Sequence, residues 1–163
     1  MKKVVMWIVV FLALIGVVFY FSSRGTSGKT NRELALDCTT DALTKFHIHP
    51  FLKIIINGTE FQIPLDIGIK SNCMNPLHTH EESGKIHIES PEPRDFTLSD
   101  FFAVWEKTFS KDQILDYKAD ENNTIRMTVN GRESNEFENL VLRDASQIVI
   151  YYETRNASSL PNN

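Results

Sequence analysis

FLKIIINGTEFQIPL, residues 51–65, governs how the chain is read: a β-branched apolar run meets Asn57-Gly58, and a second β-prone run follows. Asn-Gly supplies the positive φ angles of a two-residue hairpin turn, so two antiparallel strands are expected here. Toward the C-terminus, TIRMTVNGRE (124–133) repeats the device, with Ile125, Met127 and Val129 alternating with polar residues ahead of Asn130-Gly131. LVLRDASQIVIYYE (140–153) adds two short strand candidates around a polar turn. Between the hairpins, TLSDFFAVWEK (97–107) places Leu98, Phe101, Phe102 and Trp105 on one helical stripe, with Thr97 and Asp100 spaced as a capping box. Aromatics at that spacing read as core rather than as a ligand platform. A weaker helical turn is expected from Ser110, with Gln113 three residues on. The order of elements indicates an α+β fold: a single strand-rich domain with one main helix packed on a sheet. A β-grasp-like arrangement fits this order, and a small sandwich with one helix is the alternative.

Toward the N-terminus, residues 4–21 read VVMWIVVFLALIGVVFYF without a charge. At about 1.5 Å per residue this run would span roughly 27 Å, close to the thickness of a hydrocarbon core. An N-terminal transmembrane anchor over residues 1–21, of signal-anchor type, is therefore expected ahead of the domain. A cleaved signal peptide would carry a shorter apolar run and a small-residue cleavage site, which does not follow Phe21. Residues 22–33 have the polar, Gly- and Ser-containing composition of a flexible linker. The folded domain is expected over 34–153, and residues 154–163 read as a disordered tail.

Lys2 and Lys3 are matched by Arg24, Lys29 and Arg32, so flanking charge does not choose a side of the membrane. Two cysteines, Cys38 and Cys73, suit a disulfide in an exported domain, and the sequons at Asn57, Asn122 and Asn156 permit the same extracytoplasmic placement. From Glu33 onward there are 12 Lys and Arg against 21 Asp and Glu, a net charge of −9 with histidines neutral. That balance disfavours a nucleic-acid partner, which needs a basic footprint.

All five histidines fall between residues 47 and 87, as His47-Ile-His49, His78-Thr-His80 and His87-Ile-Glu89. In a strand, residues two apart share a face, so each segment offers a pair of ligands pointing one way. Two imidazoles from one strand and a third ligand from a neighbour make the three-ligand set of an open metal site. His87 and Glu89 look most strand-like, since Ile86 and Ile88 would face the core. An H-x-H pair can equally hydrogen-bond to backbone or carboxylate, or act as a pH-responsive or acid–base group. Cys38 precedes His47 much as Cys73 precedes His78, so a Cys38–Cys73 disulfide would clamp two H-x-H segments together. Cys73 as a thiolate ligand is the alternative.

HTHEES (78–83) begins like the H-x-H-x-D-H motif of metallo-β-lactamases, but Glu82 and Ser83 stand where that motif needs Asp and His. No H-E-x-x-H or G-x-S-x-G motif occurs. The block CMNPLHTHEESGKIHIESP (73–91), followed by RDFTLSDFFAVWEK (94–107), resembles a family of small membrane-anchored or exported archaeal and bacterial proteins of uncharacterised activity. By position the resemblance covers Cys38, His47, His49, Cys73, His78, His80, His87 and Glu89. The chain departs from the family at Phe51 and near Asp144, where the family commonly carries histidine. The resemblance implies a shared export-side module and a shared histidine site, and no particular reaction.

Together these features point to a membrane-tethered extracytoplasmic metal-binding module. His78, His80 and His87 are the expected ligands of a copper or zinc ion, and Glu89, His47 or His49 complete or flank the site. It would act beside a membrane-protein partner and is not expected to be catalytic. Two other classes fit the same residues: a structural or interaction domain with a histidine hydrogen-bond network, and a small metal-dependent enzyme.

Overall fold

The computed structural model describes residues 28–39 and 44–155. Its largest sheet grows from the two Asn-Gly hairpins. Strand β2 (Phe51–Ile56) turns through Asn57 (φ 49°) and Gly58 (φ 81°) into β3 (Thr59–Phe61). Likewise β11 (Asn123–Val129) turns through Asn130 (φ 52°) and Gly131 (φ 78°) into β12 (Arg132–Glu133). Both central residues of each turn adopt positive φ, which matches the turn twist to that of the flanking strands. The last strand, β13 (Gln147–Thr154), joins the hairpins: it pairs antiparallel with β11 and parallel with β2, giving the order β12-β11-β13-β2-β3. Alternation places Leu52, Ile54, Ile125, Met127, Ile148, Ile150 and Tyr152 in the core.

The polypeptide between these hairpins makes smaller sheets. Strands β1 (Phe46–Ile48), β6 (Leu77–His78) and β7 (His87–Ser90) form one with β7 in the middle. β4 (Ile69–Lys70) pairs with β5 (Cys73–Met74). β8 (Phe109–Ser110), β9 (Gln113–Ile114) and β10 (Tyr117–Lys118) form a meander. Leu77, Ile86 and Ile88 beneath the histidine-bearing sheet belong to the same apolar core as the large sheet.

Two short α-helices occur among the described residues: α1 (Asn31–Ala35) and α2 (Leu98–Val104). α2 buries Leu98, Phe101 and Phe102. Asp100 accepts hydrogen bonds from the Thr97 N–H at 2.9 Å and the Thr97 hydroxyl at 3.0 Å. Its other oxygen lies 3.0 Å from Nε of Arg32, so a carboxylate only 4 % exposed is fully partnered. Through this pair α1, which begins within the stretch read as linker, docks against α2.

The expected fold class requires correction. Strand accounts for 40 % of the structure and helix for 12 %, so this is a strand-rich domain rather than a helix laid on a sheet. The physical reason is length. Seven helical residues rise about 10 Å, whereas five strands span about 19 Å, so α2 cannot form a layer by itself. Nor is any described helix long and apolar enough to cross a membrane; the run 4–21, on which the transmembrane helix was expected, lies outside the described residues.

Two local expectations also differ. Ser110 opens a β-hairpin rather than a helical turn; its hydroxyl accepts from the Asp112 N–H at 3.2 Å, a side-chain bond that serves a tight turn as readily as a helix start. Of the two strands expected in 140–153, β13 forms. Leu140–Leu142 instead lies against the segment preceding α2, making a single bridge between Val141 and Thr97.

Candidate metal centre

The three histidine segments meet on the β1-β7-β6 sheet. β7 carries His87 and Glu89 while Ile86 and Ile88 are fully buried beneath them, as the alternation in IHIE requires. Register sets the neighbours: His47 lies opposite Glu89 on one side, and His78 lies opposite His87 on the other. His87 is the hub. Its ring centroid is 4.6 Å from His49, 4.9 Å from His80, 5.4 Å from His78 and 5.9 Å from His47.

The side-chain nitrogens form two overlapping triads, His78/His80/His87 and His47/His49/His87, each with its ligand atoms within 4.8 Å of one another. Tetrahedral Zn–N bonds of about 2.0–2.1 Å require ligand nitrogens roughly 3.4 Å apart. Side-chain adjustments of about 1.5 Å would bring either triad to that spacing. The chain thus carries a histidine cluster that could hold a metal ion.

His78 is the most constrained member. Its side chain is fully buried, and Nδ1 donates to the backbone carbonyl of Asn75 at 2.9 Å. A carbonyl only accepts, so Nδ1 carries the proton and Nε2 holds the lone pair. That Nε2 is buried and has no hydrogen-bond partner among the described residues. Metal-bound histidines characteristically donate their other N–H to a carbonyl or carboxylate, which sets the tautomer and aims the free lone pair. The supports beneath are firm. The Asn75 side chain donates to the Ala35 carbonyl at 3.0 Å, and the Thr79 hydroxyl donates to Pro64 O at 2.8 Å while accepting from the Ile67 N–H at 3.1 Å.

Electrostatics keep the inner rings neutral. Burial pushes the pKa of His78 down, with the neighbouring His80 adding to the shift. Burial and then the charges of His49, His78 and His80 push His87 down to about 4. Neutral imidazole is the form that binds a metal.

Glu89 lies in neither triad. Its Oε1 sits 3.2 Å from His47 Nε2, and Thr44 donates to its other oxygen at 3.4 Å, so it orients His47 from the side. Cys38 and Cys73 are joined in a disulfide, which removes them from the ligand set. The bridge ties the polypeptide ahead of β1 to β5, just before the His78 segment. Three supports were invisible to a reading of residue types: the Asn75 carbonyl, the Thr79 hydroxyl, and Asp144, whose Oδ1 accepts from the His49 backbone N–H at 2.9 Å. A main-chain carbonyl leaves no compositional trace.

Among the described residues, a surface concavity beside Cys73 and Glu89 and another between β3 and the Glu82–Gly84 turn are lined by residues other than histidine. The chain matches no known protein-family model, no curated protein and no solved structure.

Proposed function

We propose that this domain is a metal-binding module that holds copper or zinc through His78, His80 and His87 and works outside the cytoplasm. The observation that carries the reading is the buried Nε2 of His78, unpartnered among the described residues, with its ring locked by Asn75 in the tautomer that leaves this lone pair free for a metal. A buried lone pair without a donor costs about 1–3 kcal/mol. A cation would supply that lone pair with a partner. Imidazole donors suit both copper(II) and zinc, and copper(II) heads the divalent affinity order.

The disulfide supports an oxidising compartment. The uncharged run 4–21 would hold the module at a membrane surface, where it would buffer, sense or deliver metal for a membrane partner. Elemental analysis of the full chain, purified without a polyhistidine tag and equilibrated with limiting copper and zinc, tests the reading. Tightly held metal that is lost in the His78→Ala/His80→Ala variant, with circular dichroism unchanged, is the expected result. A folded protein without metal above background would overturn it.

A further inference from the structure

The cluster holds five imidazoles, two more than a three-ligand open site uses, and they fall into two sets rather than one. The five histidines resolve into two sets of three that share a single member. His87 stands on the central strand of its sheet, between β1, which brings His47 and the following His49, and β6, which brings His78 and the following His80. Each pair is in close ring contact within itself, at 4.4 Å for His47–His49 and 4.7 Å for His78–His80. Among the described residues, the ring contacts that connect one pair with the other run through His87. A single ion at the His78 side would leave His47 and His49 idle, and the reverse placement would leave His78 Nε2 without a partner.

An imidazole ring carries two nitrogens directed away from each other. When one binds an ion and the other loses its proton to solvent, the resulting imidazolate can donate a lone pair to a second ion. We infer that His87 bridges two transition-metal ions, one completed by His78 and His80 and the other by His47 and His49. This rests on the metal-binding reading above and extends it from one ion to two. Glu89, held against His47, places a negative charge beside the outer position, and the net −9 of the domain tempers repulsion between two divalent cations. The two positions differ in access: His78 is fully buried, whereas His47 is exposed. The inner ion should therefore exchange more slowly.

Copper(II) titration of the full chain, untagged and in detergent, read by bound copper per chain and by integrated electron paramagnetic resonance, decides the matter. Expected are two copper ions per chain, with spin intensity well below one spin per copper because the bridging ring couples them. The His47→Ala/His49→Ala variant, altered on the accessible side, should bind one ion with full spin intensity. One ion per chain in the unaltered protein would overturn the bridge and leave the metal module standing. Two ions with full, uncoupled spin would also overturn it. No bound copper would overturn the metal reading itself.

Discussion

Replacing Gly84 with alanine probes the turn that carries the chain from His80 to His87. Gly84 has φ +72°, and a Cβ built there would lie 2.0 Å from the carbonyl oxygen of Leu52, against 3.4–4 Å for ordinary contact. Backbone meets backbone, so a side-chain rotation cannot relieve the overlap, and one strand must retreat by more than an ångström. The retreat would break the hydrogen bond from the Leu52 N–H to the Gly84 carbonyl, now 2.8 Å long. Two costs follow: about 1–2 kcal/mol for an L side chain in the left-handed region, and about 1–3 kcal/mol for the lost buried hydrogen bond. Their sum is roughly 2–5 kcal/mol. Gly58 provides an internal control, because its φ is +81° and nothing lies within 4 Å of its would-be Cβ. Gly58→Ala should therefore cost only the first part, about 1–2 kcal/mol. Urea denaturation of both variants, compared at a common m-value, separates the two contributions. The same retreat would move Lys85 and Ile86, which pair with Phe51 and Pro50, and so shift His87 relative to β1; copper affinity should fall with stability in Gly84→Ala and stay unchanged in Gly58→Ala. Equal destabilisation by the two substitutions would refute the close-approach argument.

Reducing the Cys38–Cys73 disulfide opens a loop of 35 residues and should lower unfolding stability by about 3–4 kcal/mol in the chain-entropy model; an unchanged denaturation midpoint in excess dithiothreitol would contradict this. Phe102, 1 % exposed and stacked 4.8 Å from Phe109, should lose about 3–5 kcal/mol on conversion to alanine, whereas Leu65, 48 % exposed, should tolerate the same change within about 0.5 kcal/mol. Asp120 accepts from the backbone N–H groups of Asn122 and Asn123, which lower its pKa in the folded state. Its contribution is thus present above the unfolded carboxylate pKa of about 3.9 and disappears as pH falls through the lower folded value. Asp120→Asn should reduce the melting temperature at pH 7, and the gap from the unaltered chain should narrow in acid; a gap independent of pH would exclude that origin.

Local chemistry was the legible part of the fold. Asn57-Gly58 and Asn130-Gly131 announce their turns because few other residues accept two successive positive φ angles, and the Leu98–Phe101–Phe102 stripe announces α2 because its spacing has one face. Ser110 shows the limit of such signals: its hydroxyl caps a helix or a two-residue turn by the same bond. The helix-on-sheet expectation failed on quantity, since a capped stripe marks where a helix starts and carries little information about how many strands the rest of the chain will make. At the site, the i,i+2 pairs do come into ring contact, at 4.4 Å for His47–His49 and 4.7 Å for His78–His80, although His49 and His80 lie just past the ends of β1 and β6; alternation around Ile86 and Ile88 showed which way His87 faces. That His78 meets His87 while His47 meets Glu89 depends on strand register, which long-range pairing sets. The same register sets Glu89 beside His47, on the flank of the site.

The alternative of a structural hydrogen-bond network can be weighed by counting donors and acceptors. A neutral imidazole offers one of each, so five rings can in principle close a network through N–H···N bonds, and the test is whether each buried nitrogen has a partner. The outer pair has partner groups: Glu89 stands against His47, and Asp144 holds the His49 backbone. Among the described residues, the hydrogen-bond partner of the inner rings is the Asn75 carbonyl, which takes the Nδ1 proton of His78 while Nε2 has no donor to accept from. Desolvation disfavours protonating His78 or His87 to create the missing donor, because it stabilises their neutral forms. A network account therefore explains His47 and fails at His78, where burial is deepest and an unpaired lone pair is most costly. A metal ion would satisfy His78, His80 and His87 together without adding a proton to any of them. The discriminating comparison is His78→Leu, which removes the orphaned lone pair while preserving bulk. If a network were the purpose of the cluster, this variant would be less stable than the unaltered chain in the presence of chelator and in its absence alike. On the metal reading, chelator should shrink most of the stability difference between the two, because the ion is what the histidine at that position holds.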